Sequence, residues 1–221
     1  MFGTPDYPSG YEVMGIDISH YQASVDWDRL RNASIGNQPV RFVIVKATEG
    51  TTIIDRNFND NFYMARKNDL VRGAYHFYIP DRDITKQAEY FLHQVHLEEG
   101  DLPPILDIEK RGKKPLAEFQ KDVLVWLDKV QAAYGVAPII YTGKSFKETY
   151  LNAPAFDNYP LWIAHYYEKE MKYKGDWVMW QYTDCGRVDG ITGSVDLNIF
   201  NGDMKALTEL TLHADSEPAE E

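Results

Sequence analysis

Eight short runs of apolar, β-branched and aromatic residues recur along the chain, at Val13–Ile18, 41–47, 71–78, 104–109, 138–142, 161–165, 177–182 and 195–199. Most are continuous rather than alternating, the pattern of strands covered on both faces. Strands of that kind need helices packed against them, and helix-period segments lie between the earlier runs. Segments 55–69 and 83–96 are amphipathic, the latter with Asp83 placed to cap its N-terminus. Segment 116–134 is the clearest: Leu116, Phe119, Val123, Trp126, Leu127 and Val130 form one stripe, with Pro115 before it and Gly135 just past its end. Ser145 and Glu148 have capping-box spacing at the start of a further short helix. Strand–helix alternation without an internal Pro/Gly/Ser linker predicts an α/β fold, an irregular TIM-like (β/α) barrel. The alternation weakens after Tyr159, where strands follow one another through short loops such as 168–176, so the final strands are expected to lack covering helices.

A chain of 221 residues suits one full barrel or a compact pair of domains. The pattern divides it into an N-terminal extension, 1–12, a single barrel domain, 13–210, and an acidic tail, 211–221, expected to be disordered. Formal net charge is −11, and Asp215, Glu217, Glu220 and Glu221 of the tail supply part of it. With no Lys/Arg-rich run, nucleic acid and anionic membranes are not expected partners. No stretch has the length of a transmembrane helix, and the first ten residues have neither a basic nor an apolar signal region. The expectation is that the protein is exported without a classical signal or that a leader has been removed. The single cysteine, Cys185, forms no intramolecular disulfide, and no histidine lies near it in sequence, so it reads as a small turn residue.

The chemistry gathers where strands end, because barrel sites form at the C-terminal ends of strands. The fourth run closes in Asp107-Ile108-Glu109. Strand side chains alternate, so both carboxylates project from one face with Cα atoms about 6.6 Å apart. Two acids that close, partly desolvated, resist joint ionisation. Glycoside cleavage uses that asymmetry: a protonated acid for the leaving oxygen and an anion for the developing positive sugar. Asp17 ends the first run, and Asp196 lies in the last. Aromatic and amide residues accompany them: Tyr75, Phe77, Tyr141, Trp162, Gln181 and Tyr182. Aromatic faces give sugars contact area at little entropic cost, and Tyr141 is the expected hydrogen-bond partner of the reacting sugar or of Asp107. Because Asp107 and Glu109 lie on one side of the bond, Asp107 is expected to orient and stabilise rather than to attack. Metal chemistry lacks a motif: there is no H-E-x-x-H, and His93 and His96 are spaced i, i+3. The four residues before Asp107 are Pro103, Pro104, Ile105 and Leu106, which excludes the longer acidic series of a chitinase-like hydrolase.

Taken in order, Gly15-Ile16-Asp17-Ile18-Ser19-His20-Tyr21-Gln22, Val25-Asp26-Trp27, Lys46-Ala47-Thr48-Glu49-Gly50, Gly73-Ala74-Tyr75-His76-Phe77-Tyr78, Asp107-Ile108-Glu109, Ile140-Tyr141-Thr142, Leu161-Trp162-Ile163-Ala164 and Trp180-Gln181-Tyr182 resemble glycoside hydrolase family 25, the lysozymes or N-acetylmuramidases. The resemblance runs from about Val13 to about Leu207 without a missing block. It implies an irregular barrel of eight strands and about five helices. It also implies hydrolysis of the β-1,4 bond from N-acetylmuramic acid to N-acetylglucosamine in peptidoglycan, outside the cell or in its envelope. Carried over by motif, Glu109 is the general acid. Asp107 is the anion that steadies the substrate's own acetamido group as it attacks C1, with net retention, and Asp17 and Asp196 are two further acids lining the site. No cofactor or metal and a monomeric state are expected. The competing reading is a non-catalytic glycan-binding barrel, which would keep the aromatic rim and lose a carboxylate; all four acids are present.

Overall fold

The computed structural model describes residues 8–22 and 24–213. The first strand, β1 (Val13–Ile18), is followed by a short helix, α1 (Trp27–Leu30), and a two-residue strand, β2 (Ser34–Ile35). Then come β3 (Gln38–Glu49), β4 (Ile53–Ile54), α2 (Phe58–Lys67), β5 (Val71–Phe77), α3 (Ile84–Gln94), β6 (Ile105–Asp107) and α4 (Leu116–Tyr134). The chain closes with β7 (Ile139–Gly143), α5 (Lys144–Tyr150), β8 (Leu161–Ala164), β9 (Met179–Gly186), β10 (Val195–Phe200) and α6 (Met204–Leu210). All eight expected runs are barrel strands, and β2 and β4 are short additions paired antiparallel to β3.

The strands follow the order β1-β10-β9-β8-β7-β6-β5-β3, and β3 pairs with β1 to close an eight-stranded barrel. Seven strands run parallel, whereas β10 is antiparallel to both of its neighbours. The reversal follows from the short connection between β9 and β10: a parallel return requires a crossover of a dozen or more residues, usually a helix. The expected thinning of helices at the chain's end and the reversed strand therefore have one origin.

Helix α4 has the bounds its stripe predicts, starts after Pro115 and stops at Gly135, whose φ of 71° is the left-handed C-cap conformation glycine adopts freely. Its buried stripe of Phe119, Val123, Trp126, Leu127 and Val130 packs onto the barrel wall, at about 1.5–3 kcal/mol for each large apolar side chain taken from water. Asp83 caps α3 by accepting the Lys86 backbone N–H at 3.0 Å. The capping box at Ser145 does not form. Helix α5 begins two residues earlier with Gly143 as its cap, and Lys144 pairs instead with Glu148 at 2.8 Å. The added helix α6, capped by Asp203 on Ala206 N at 2.8 Å, inserts Leu207 against Val13, Phe42 and Phe200 under the barrel.

Residues flanking the 13–210 span also pack on the barrel. Tyr11 packs its ring on Trp177 and Trp180, at 6.1 and 6.2 Å between centroids. Thr211 and Leu212 are buried, and Leu212 N donates to Asp101 O at 2.8 Å. Residues 1–7 and 214–221, which hold most of the expected extension and tail, lie outside the described residues. No helix among the described residues is long and apolar enough to cross a membrane.

Candidate active site

Side-chain alternation divides each barrel strand between an outer face, buried under the helices, and an inner face in the lumen. The inner face is apolar low in the barrel, where Val13, Phe42, Ile44, Ile105, Ile139, Met179 and Phe200 form one cluster. Gly15 belongs to this layer because a Cβ there would meet the Phe42 ring at 2.4 Å. One step further along each strand, the inward residues become polar or amphipathic: Asp17, Lys46, Tyr75, Asp107, Tyr141, Trp162 and Gln181. With Phe77, Glu109, Tyr166, Asp184 and Asp196 they line a cleft of about 310 Å³ at the barrel mouth.

Asp17 and Asp196 are Cα partners across the antiparallel β1–β10 pair. Asp196 reaches the mouth from the start of its strand, not from its exit; a parallel β10 would have carried it to the opposite end. Asp17 Oδ2 accepts the side-chain amides of Gln181 and Asn198, both at 2.7 Å. Asn198 in turn accepts Trp162 Nε1–H at 2.9 Å, and Gln181 Oε1 accepts the hydroxyls of Tyr141 and Tyr166, both at 2.6 Å. This chain of donors terminates on Asp17 and orients every amide in it.

Burial pushes both members of the Asp17/Asp196 pair up. Donation from Asn198, Gln181 and Asp196 opposes that rise at Asp17. Asp196, raised by burial, by the Asp17 charge and by its bond to Asp17, is pushed up to about 9 and holds the proton of the pair.

Asp107 is buried, and its Oδ1 has no hydrogen-bond partner among the described residues. Burial and the neighbouring charges of Glu109, Asp17 and Glu49 hold its carboxyl well above the usual range, with Lys46 opposing. Lys46 projects from β3 over the Phe77 ring, 4.8 Å from its centre, and its Nζ donates to Glu49 Oε2 at 2.6 Å. Glu109 lies past the end of β6, opens to solvent at the mouth and is raised by the protein packed around it, against the pull of Lys110 and Lys46. Asp107 is thus the enclosed acid and the more strongly raised of the two, and Glu109 the open one.

Nine of the ten residues singled out from sequence thus meet in one cleft. Tyr182 does not. It follows Gln181 on β9, so its side chain turns to the outer face, where it packs edge-on against Trp180 at 6.0 Å between centroids. The Tyr141 hydroxyl donates to Gln181 Oε1 at 2.6 Å rather than to Asp107. Sequence reading passed over Lys46, Asn198 and Tyr166. The i, i+2 series Phe42-Ile44-Lys46 and Asp196-Asn198 carries the first two into the lumen, whereas Tyr166 lies beyond β8 and has no such signal.

Comparison with known proteins adds a family to this geometry. The profile of "Glycosyl hydrolases family 25" matches residues 16–191. The chain is 42% identical over 201 residues to the uncharacterized protein YegX of Escherichia coli K12, covering 90% of this chain and 74% of that one. It is 33% identical over 214 residues to Lysozyme M1 of Streptomyces globisporus, covering 90% and 71%. Among solved structures, a family 25 glycosyl hydrolase from Bacillus anthracis superposes with a TM-score of 0.84 at 27% identity, covering 96% of this chain and 99% of that one.

Proposed function

The chain belongs to glycosyl hydrolase family 25, and on that premise we propose that this glycoside hydrolase is a lysozyme acting on peptidoglycan. It cleaves the β-1,4 bond between N-acetylmuramic acid and N-acetylglucosamine with retention, assisted by the substrate's 2-acetamido group. The observation that carries the reading is the buried Asp107 Oδ1 without a donor, in the same cleft as the solvent-open Glu109.

Before substrate arrives, burial favours the protonated form of Asp107, the more desolvated acid of the Asp107/Glu109 pair. An acetamido N–H donated to Asp107 Oδ1 satisfies that atom and stabilises the carboxylate, since a hydrogen bond to the charged form lowers a pKa. The proton then belongs on Glu109, where the glycosidic oxygen needs it. As that bond breaks, the acetamido oxygen closes on C1 and Asp107 balances the positive charge on the resulting ring. Water, deprotonated by Glu109, attacks C1 from the face the leaving group vacated, opposite the acetamido oxygen, which opens the ring and restores the configuration. Asp17 and Asp196, sharing one proton, hold sugar hydroxyls or water beside the reacting centre. The enzyme acts as a monomer at the cell wall, and names such as the autolytic lysozyme of Clostridium acetobutylicum, 32% identical over 189 residues, support that location.

Mass spectra of fragments released from defined walls test the bond: muramic acid at the new reducing ends supports it, and glucosamine there sinks it. Proton NMR of the first product tests retention, and an initial α-anomer would overturn acetamido assistance.

A further inference from the structure

Tyr21 is 80% exposed, although it sits in the wall of the same cleft as the acids. A large aromatic ring left in water at a cleft mouth usually marks a contact surface. The loop around it is built to hold it there. Its ring lies against His20, with centroids 4.2 Å apart and planes inclined by 33°. His20 is fixed in turn: its backbone N–H and ring Nδ1 both meet Asp55 Oδ2, at 3.0 and 2.7 Å. Asp55 is buried, accepts Asn57 N at 3.0 Å and donates its own N–H to Ala47 O at 2.8 Å, which anchors the clamp to the end of β3. On the other side of Tyr21, Gln22 accepts Ser19 N at 2.9 Å and reaches Ser194 O at 3.3 Å, two residues before Asp196.

We propose that Tyr21 is a stacking platform for a pyranose ring on the β1 side of the scissile bond, with His20 and Asp55 as the positioning residues that keep it presented. The inference rests on the glycan-hydrolase reading and deepens it by naming a sugar-binding position outside the acid cluster. The apolar face of a pyranose lies flat on an aromatic ring, and contact area is what such a ring supplies. The clamp fixes the ring before binding, so little ordering entropy opposes the contact. In the closed strand order β6, which leads to Glu109, stands three strands from β1, so a polymer lying across the mouth past Glu109 meets Tyr21 on the β1 rim.

The test uses the full chain carrying Glu109→Gln, so that glycan is bound and not consumed. The probe is a soluble hexasaccharide of alternating N-acetylglucosamine and N-acetylmuramic acid, followed by calorimetry. Adding Tyr21→Ala should weaken binding about tenfold, and Tyr21→Phe, which keeps the ring, should restore it. Tyr63, 63% exposed on α2 away from the cleft, supplies the control; Tyr63→Ala should bind as the parent does. With Glu109 intact, Tyr21→Ala should raise KM more than it lowers kcat, and His20→Ala should do the same with an unchanged melting temperature. Unaltered affinity in Tyr21→Ala overturns the platform while leaving the hydrolase reading intact. A parent that fails to bind the hexasaccharide at all overturns both.

Discussion

Asp17 and Asp196 face each other as register partners across the one antiparallel seam beside β1, and that seam brings the start of β10 to the same mouth as the exits of the parallel strands. Two carboxylates in that relationship share a proton, and Asp196 carries it with its pKa pushed up to about 9. A carboxyl raised in the folded state contributes stability that is complete below the unfolded pKa and is lost as pH rises through the folded one. The window here runs from about 4 to about 9. Asp196→Asn should therefore flatten the fall in melting temperature across that range, a fall of about 2–4 °C for each kcal/mol involved. Melting curves at a series of pH values decide it. A variant whose profile parallels the parent's would mean that the pair is not coupled in this way.

His76 acts in the opposite direction. It is fully buried between Thr48 and Gln87, at 2.8 and 3.2 Å, stacked on Trp126, and burial lowers it to about 4. A histidine held neutral by the fold loses its contribution as pH falls from about 6.5 through about 4, a loss of about 3 kcal/mol at the acid end. Denaturant midpoints of His76→Gln at pH 7 and pH 4 should differ less than the parent's, even though the substitution costs packing at both. An unchanged difference would assign the acid lability to other groups.

Removal of the proton donor is the severest single change expected. Glu109→Gln should melt normally, because the side chain is open to solvent, and should lose about 10²–10⁴-fold in the rate of wall lysis. Asp17→Asn and Asp196→Asn should each cost less than that. Turbidity clearing by purified variants measures all three, and near-normal lysis by Glu109→Gln would end its assignment as donor.

Gln181 receives two hydroxyls on one oxygen, so their losses should not add. Tyr141→Phe leaves the Tyr166 donor in place and should cost about 1 kcal/mol or less in stability. The double change to phenylalanine strands a buried amide oxygen and should cost about 1–3 kcal/mol beyond the singles. The rate of lysis should follow the same order, as Gln181 loosens its hold on Asp17. Additive costs in a double-mutant cycle would show that the network carries no cooperative load, and a full rate in Tyr141→Phe would make that residue simple packing.

Local pattern determined a great deal. Continuous apolar runs separated by amphipathic stripes specify strands buried under helices, so β1 and α4 are legible to the residue and the barrel follows from their alternation. Period-two alternation also determined that Asp107 and Glu109 leave on one side of their run, because that relation depends only on backbone geometry within one segment. Three matters waited for the tertiary structure. The direction of β10 depends on how a short connection returns to a closing barrel, and it decides whether Asp196 reaches the site at all. The inward or outward phase of β9 depends on its register against β8 and β10, and it gave the lumen Gln181 while sending Tyr182 to the outer core. The placement of the shared protons depends on burial, which no spacing encodes: Asp107 is enclosed and Glu109 is open. Pattern acts over a few residues of one chain segment, whereas desolvation and register are sums over neighbours that only the closed barrel assembles.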